Sequence, residues 1–416
     1  MKQYRRVVVT GMGAVSPMGL DVPSLWDGIV ASKSGIGPIT LFDSEGFETR
    51  IAGEVKGFDP TNYMDRKEAR RTDRFVHLAL AATQEALRSS GLQITDKNRD
   101  EIGVFVGSGI GGIETSTTQS NVLHTRGPGR VSPFTIPAMI PNIAAGHVSI
   151  MSGARGPCMC IITACASSAH SIGEASENIR RGAAQAIIAG GAEASITPLS
   201  VAGFNSARAI STRNDDPEGA SRPFDATRDG FILSEGAAML ILEDLDHAMK
   251  RDAPILAEVV SYAASSDAFH VTQPPEHGEG AALAMKKTLQ YGQLAPSEVS
   301  YINTHGTSTP IGDVAETRAI KHVFGEYAQR VPVSSSKSQL GHMLGTAGAI
   351  ESIVCILAIQ NNLMPPTINL THPDPACDLN HIKEKPQPGS VDVVMNNSFG
   401  FGGHNVSMIL RRFEEA

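Results

Sequence analysis

Cys165 lies in Thr163-Ala164-Cys165-Ala166-Ser167-Ser168, between an apolar run at 158–162 and a segment whose apolar stripe is Ile172, Ala175 and Ile179. The pattern predicts a strand-to-helix elbow, which presents a side chain at the carboxyl end of a sheet, where ligands of α/β folds bind. A thiol at a helix N-terminus is drawn toward thiolate by the dipole, and free backbone N–H groups there can hold an oxyanion. An unassisted thiol is ionised to only a few per cent at neutral pH, so placement decides whether it reacts. Cys158, Cys160, Cys355 and Cys377 fall in apolar runs or a proline-flanked loop and read as small hydrophobes. Cys158, Cys160 and Cys165 do not match a zinc spacing, and no metal is expected.

Among 13 histidines, His305 and His342 stand apart by context. His305 follows the apolar stretch at 301–303 and opens the polar loop His305-Gly306-Thr307-Ser308-Thr309, while His342 lies in Gly341-His342-Met343-Leu344-Gly345, shortly after Lys337. Two histidines at strand ends in the second half, opposite an elbow cysteine in the first, make a nucleophile with two proton-handling partners. The bare set describes a hydrolase equally well. Asp313 and Glu316 follow the His305 loop, and Lys337 and Glu351 flank the His342 segment. Most charges are simply solvated, and only proximity to the histidines would give these four a supporting role. In Asn397-Ser398-Phe399-Gly400-Phe401-Gly402-Gly403-His404-Asn405, glycines let backbone N–H groups approach a ligand and phenylalanines can line or close a pocket.

The elements that must position these groups alternate in an α/β pattern. Strands are expected at 6–11, 102–107, 158–162, 186–189 and 239–242, then at 255–261, 300–303, 331–334 and 391–395, with a polar break at 250–254. Phe75, Leu78, Ala79, Ala82 and Ala86 repeat at helical spacing, and Gly91 is placed to end that helix. Each half then runs from a strand into a small-residue helix, at 161–177 and at 334–359, so one architecture is used twice, in 1–252 and 253–416. The proline-rich stretch 127–142 reads as a loop lying over something.

With 416 residues, 41% apolar and 19% charged, the chain can bury a large core, which excludes disorder; 41 glycines and 24 prolines imply many tight turns. A formal charge of −8 argues against a broadly nucleic-acid-binding surface. The start carries interrupting glycines and no secretory pattern, and no stretch is expected to span a membrane. With an odd 5 cysteines, a cytoplasmic chain with reduced thiols is expected.

Six segments carry a resemblance that spans essentially the whole chain: Val9-Thr10-Gly11-Met12-Gly13-Ala14-Val15-Ser16-Pro17; Thr163-Ala164-Cys165; Arg222-Pro223-Phe224-Asp225 with Arg228-Asp229-Gly230-Phe231; the run from Asn303 through His305 to Asp313; Lys337-Ser338-Gln339-Leu340-Gly341-His342; and the turn from Asn397 to Asn405. In this order and spacing they resemble the decarboxylating β-ketoacyl-acyl-carrier-protein synthases, type II. The resemblance implies the α/β thiolase-like fold, two similar halves in five α-β-α-β-α layers, and a homodimer. It implies Cys165 as acyl-accepting nucleophile and His305 and His342 as the decarboxylation site. Lys337 and Glu351 would be the supporting charged pair, Asp313 and Glu316 the supporting acids, and Thr307 and Thr309 the phosphopantetheine contacts. Phe401 would be the gate, its backbone N–H sharing the oxyanion with that of Cys165. Ile110 matches the isoleucine that lines the acyl pocket in type II members.

The implied partner is acyl carrier protein, which brings substrate on its phosphopantetheine, with no cofactor of the enzyme's own. Carriers of this family are acidic. Arg66, Lys67, Arg70, Arg71 and Arg74 recur at helical spacing and, with Arg126, Arg130 and Arg208, form the expected docking patch. The sequence departs from the family pattern at His404 and Ala166, where threonine is commoner, and at Ser234, where glycine is frequent. A polyketide ketosynthase would share the Cys-His-His set. A thiolase would need a second cysteine in the final turn, where 399–405 has none, and a silent partner subunit would not need the triad.

Overall fold

The computed structural model describes residues 4–415. Val7–Val15, Ile102–Gly107, Cys158–Met159, Ala186–Glu193 and Gly236–Asp244 form one set of strands; Ala257–Ser266, Tyr301–Asn303, Pro332–Ser334, Val393–Gly400 and His404–Arg411 form another. Numbered in chain order within each set, both run 3-2-4-5-1 across the sheet. In both, the second strand pairs in parallel with the third and fourth, and the fifth lies antiparallel between the fourth and first. The two first strands meet edge to edge where Val8 faces Glu258 and Val9 faces Ala257. With Asn380–His381 added outside Pro332–Ser334, the result is one 11-stranded sheet.

The helices after each third strand, Ser167–Arg180 and Ala347–Asn361, pack against one another between the halves. Ile172, Ala175 and Ile179 of the first join Ile350, Ile353 and Val354 of the second in a core with Leu240, Leu242, Val394 and Met408 from the strands. Full burial of each isoleucine, leucine, valine or methionine among them contributes about 1.5–3 kcal/mol. Arg74–Ser90 and Ile143–Ser152 cover the outer face of the first half, Glu279–Gly292 and Pro310–Phe324 that of the second. The expected five layers result.

Several boundaries differ from the sequence reading. The strand at 158–162 shrinks to Cys158–Met159, and its helix starts at Ser167 because 163–166 form a tight turn. The long helix expected at 334–359 is broken into Lys337–Leu340, a short 3-10 turn Leu344–Thr346 and Ala347–Asn361. Gly341, at φ +71°, makes the break, and a Cβ there would sit 3.0 Å from both Ile36 and Ser234 side chains. Residues 127–142 hold the short helices Pro128–Arg130 and Thr135–Met139. The run Leu344–Asn361, 18 residues of mean hydropathy 1.4, is long and apolar enough to cross a membrane, against the expectation that no stretch is; 89% of it lies buried as the central core helix.

Candidate active site

Cys165 sits on the floor of a cavity of about 490 Å³. The turn that presents it is held by Ser167, whose hydroxyl donates to the Ala164 carbonyl (2.7 Å) and accepts from the Thr163 N–H (2.9 Å). Ala164 takes a left-handed conformation, φ +50°, costing about 1–2 kcal/mol for a residue with a Cβ. The backbone N–H groups of Cys165 and of Phe401 both reach the sulfur. Phe401 can come this close because the residue before it is glycine: a Cβ at Gly400 would stand 2.5 Å from the Thr163 carbonyl oxygen and 3.1 Å from the Cys165 nitrogen.

His305, just past Tyr301–Asn303, and His342, in the break between helices, complete the cluster. One ring nitrogen from each and the Cys165 sulfur lie within 4.8 Å of one another. The two imidazoles stand nearly perpendicular, 83°, with centroids 5.4 Å apart. Phe231 packs edge-on against His342 and Phe399 lies beside His305. Nδ1 of each histidine is buried without a hydrogen-bond partner among the described residues.

Burial, with Lys337 close by, holds both histidines well below the ordinary range, so they are neutral. Burial also pushes the Cys165 thiol up to about 12, against the lowering pull of Lys337 and the two N–H groups. This corrects the expectation of a thiolate favoured by the helix end: desolvation in the apolar pocket outweighs Lys337 and the two N–H groups, and the resting group is a thiol.

The four supporting charges frame this cluster from behind. Lys337 and Glu351 form a fully buried ion pair, and burial lifts Glu351 to about 7 against the attraction of Lys337. Glu316 accepts from the N–H groups of His305 and Gly306, both at 2.8 Å, and burial lifts it to about 7. Asp313 accepts from Phe224 N–H (2.8 Å) and Ser308 N–H (3.1 Å), with burial lifting it to about 6 against Arg228. Arg228 in turn donates to the carbonyls of Thr309 (3.0 Å) and Pro310 (2.8 Å). Thr307 and Thr309, hydroxyls 3.0 Å apart, line the cavity, as does Ile110 beside Phe204, Phe231 and Leu344. Phe401 is partly exposed at the tip of the hairpin formed by Val393–Gly400 and His404–Arg411. His404 faces Gly400 across that hairpin; Ala166 caps the helix after Cys165, and the Ser234 hydroxyl donates to the Gly53 carbonyl (3.0 Å).

The basic patch needs revision. Arg66 and Lys67 lie in the four-residue helix Arg66–Ala69, while Arg74 starts a separate one, so the five residues share no single helical face. Arg74 makes a two-pronged pair with Glu235 at 2.7 Å and belongs to the framework. Arg71 lies over the Phe134 ring at 4.5 Å. Arg66, Lys67, Arg70, Arg126, Arg130 and Arg208 are exposed, and Arg208 also lines the cavity. One buried group next to the site escaped the sequence reading: Glu193, hydrogen-bonded to the loop carrying Ile110. Its signal was a lone acid closing an otherwise apolar, glycine-rich run at 186–193.

Residues 4–248 match the model of the β-ketoacyl synthase N-terminal domain, and residues 256–371 that of the β-ketoacyl synthase C-terminal domain. The chain belongs to the β-ketoacyl synthase family. It is a condensing acyltransferase with the thiolase-like fold. It is 50% identical to the 3-oxoacyl-[acyl-carrier-protein] synthase 2 of Synechocystis sp. over 412 residues, covering 99% of both chains. To the enzyme of the same name from Coxiella burnetii it is 49% identical, again covering 99% of both. Among solved structures, a β-ketoacyl synthase from Burkholderia phymatum superposes with a TM-score of 0.92 at 37% identity, covering 99% of this chain and 100% of that one. A ketosynthase of a type II polyketide system, solved with its acyl carrier protein, superposes with a TM-score of 0.91 at 34% identity, covering 99% and 100%.

Proposed function

We propose that this β-ketoacyl synthase is of the synthase II type and lengthens acyl chains by two carbons through decarboxylative Claisen condensation, working as a cytoplasmic homodimer on substrates carried by acyl carrier protein. The supporting observation is the buried cluster of Cys165, His305 and His342, three reactive atoms within 4.8 Å of one another on a cavity floor. In the first half-reaction the Cys165 sulfur attacks the acyl thioester. The tetrahedral oxyanion rests on the N–H groups of Cys165 and Phe401, and the carrier leaves as its free thiol with the proton the cysteine gave up. Thr307 and Thr309 hold the pantetheine arm, and Arg66, Lys67, Arg70, Arg71, Arg126, Arg130 and Arg208 receive the acidic carrier.

Malonyl-carrier then enters. Its carboxylate leaves as carbon dioxide, and the electron pair moves onto the thioester oxygen, which accepts hydrogen bonds from neutral His305 and His342. The enolate carbon attacks the acyl-Cys165 carbonyl, and the cysteine departs as a thiolate that takes a proton from water. A neutral donor suits this step because it stabilises the charge that develops without pairing to the malonyl carboxylate in advance. Glu316 and Asp313 hold the His305 loop, Lys337 and Glu351 back the pair of histidines, and Phe401 gates the cavity. The labour divides between the halves 1–252 and 253–416, the first carrying the nucleophile and the second the decarboxylation site.

A polyketide ketosynthase would share this constellation, but 49–50% identity to synthase 2 relatives against 34% to the type II polyketide ketosynthase supports the fatty-acid reading. Removing one oxyanion-type donor costs about 2.7–4 kcal/mol of barrier. His305→Ala and His342→Ala are therefore expected to lose condensation by about 10²–10³-fold while Cys165 still takes up acyl groups. Condensation at near-native rate in either variant would sink the assignment.

A further inference from the structure

Glu193 is fully buried at the end of the strand Ala186–Glu193, and among the described residues no lysine or arginine bonds to it. Its carboxylate accepts from four donors: the Ser108 hydroxyl (3.1 Å) and the N–H groups of Gly109 (2.7 Å), Ile110 (3.2 Å) and Gly345 (3.0 Å). A carboxylate is the side chain that offers about four acceptor sites and no donor, so it matches this set where an amide would present N–H against N–H. The fit is tight from both sides, since a Cβ at Gly109 would lie 2.8 Å, and one at Gly345 2.7 Å, from the same carboxylate oxygen.

What the four donors belong to gives the arrangement its meaning. Ser108, Gly109 and Ile110 form the loop in the first half that walls the cavity; Gly345 lies in the second half, in the turn that follows His342. Ile110, Phe231, Leu344 and Cys165 meet in one apolar cluster, and Phe231 also packs edge-on against His342. A chain seated on Cys165 and pressing on Ile110 therefore pushes on a loop that one buried carboxylate ties to the His342 segment.

Resting on the condensing reading above, we propose that Glu193 is a positioning residue for acyl-chain selection, tying the Ile110 wall to the Leu344–Gly345 turn so that chain length at Cys165 is read at the His342 site. A difference of about 1.4 kcal/mol between two transition states is a tenfold difference in rate, and a hydrogen bond to a charged group contributes at least that much to the arrangement it holds. Glu193→Gln keeps the volume but turns an N–H pair onto the donors, while Glu193→Asp keeps the acceptors on a shorter arm. The test measures kcat/KM for condensation over a graded series of acyl-carrier chain lengths in wild type, Glu193→Gln, Glu193→Asp, Ile110→Gly and the Glu193→Gln/Ile110→Gly pair. The expected result is a roughly tenfold change in long-to-short selectivity for Glu193→Gln, partial return in Glu193→Asp, and a double variant whose selectivity change is smaller than the product of the single ones. Should Glu193→Gln fail to fold, Ser108→Ala, which removes one donor and leaves the carboxylate, is expected to move selectivity in the same direction. Equal loss at every chain length, or independent effects in the double variant, overturns the tether. A wild type that never forms acyl-Cys165 would instead strike the condensing reading itself.

Discussion

The two halves of the molecule share one strand order and one helix placement, yet they position their reactive groups by opposite means. In the first, backbone does the work: a four-residue turn with Ala164 left-handed, pinned by Ser167, presents Cys165 to the cavity at the head of the helix that follows. In the second, the corresponding connection from Pro332–Ser334 to Ala347–Asn361 is long and broken, and buried side-chain carboxylates hold it and the neighbouring His305 loop. In the proposed reaction Cys165 needs a fixed direction of attack, which a strained turn supplies. The histidines must stay neutral beside Lys337, which takes a buried shell that balances charge without exposing it to water.

The sharpest way to break the backbone half of this contrast is Gly400→Ala. Its methyl would meet the Thr163 carbonyl and the Cys165 nitrogen, so the hairpin must back away and take the Phe401 N–H with it. A displacement of about 1 Å at a reacting centre can cost about 10²-fold, and acyl transfer to Cys165 should fall by that much while malonyl decarboxylation falls less. Equal loss of both activities would mean that the turn serves the halves alike.

The carboxylate half makes a smaller prediction, visible in the pH dependence of stability. Glu316 and Glu351 are lifted from 4.5 to about 7 and Asp313 from 3.8 to about 6, so the folded state binds these protons more tightly than the unfolded chain. Stability from this cluster is therefore fully present below about pH 4 and declines as pH rises toward 7, by up to about 1.4 kcal/mol per unit for each group. Glu243, in the first half, behaves the other way. Burial would lift it, but Arg251, His247 and Thr10 win and hold it at about 2, so its contribution is present above 4.5 and lost as pH falls toward 2. Denaturant unfolding of wild type and Glu316→Gln between pH 4 and 8 should show a flatter decline in the variant; parallel curves would remove Glu316 from the account.

Much of this was legible in the sequence because local pattern and local chemistry agreed. Cys165, His305 and His342 each sit at a junction where an apolar strand meets a glycine-rich or small-residue segment, and all three meet in the cavity. The Gly91 helix stop was equally readable, since a left-handed cap at φ +64° selects glycine. What escaped was set by tertiary contact. Nothing local marks the strand His404–Arg411 after the glycine turn, although it lies between Ala257–Ser266 and Val393–Gly400. Arg74 looked like one more cation on a helix face until the fold placed Glu235 against it. The state of Cys165 escapes the sequence for the same reason: a helix end favours thiolate by local geometry, but burial by Phe231, Leu344 and their neighbours is invisible in the chain order and raises the thiol.

The central claim is that acyl transfer belongs to Cys165 in the first half and decarboxylation to the histidine pair in the second. Carbon dioxide release from malonyl-carrier by Cys165→Ala tests it most directly. The account predicts that this variant forms no condensed product yet still releases carbon dioxide, and that adding His305→Ala or His342→Ala stops the release. Loss of carbon dioxide release in Cys165→Ala alone would contradict it.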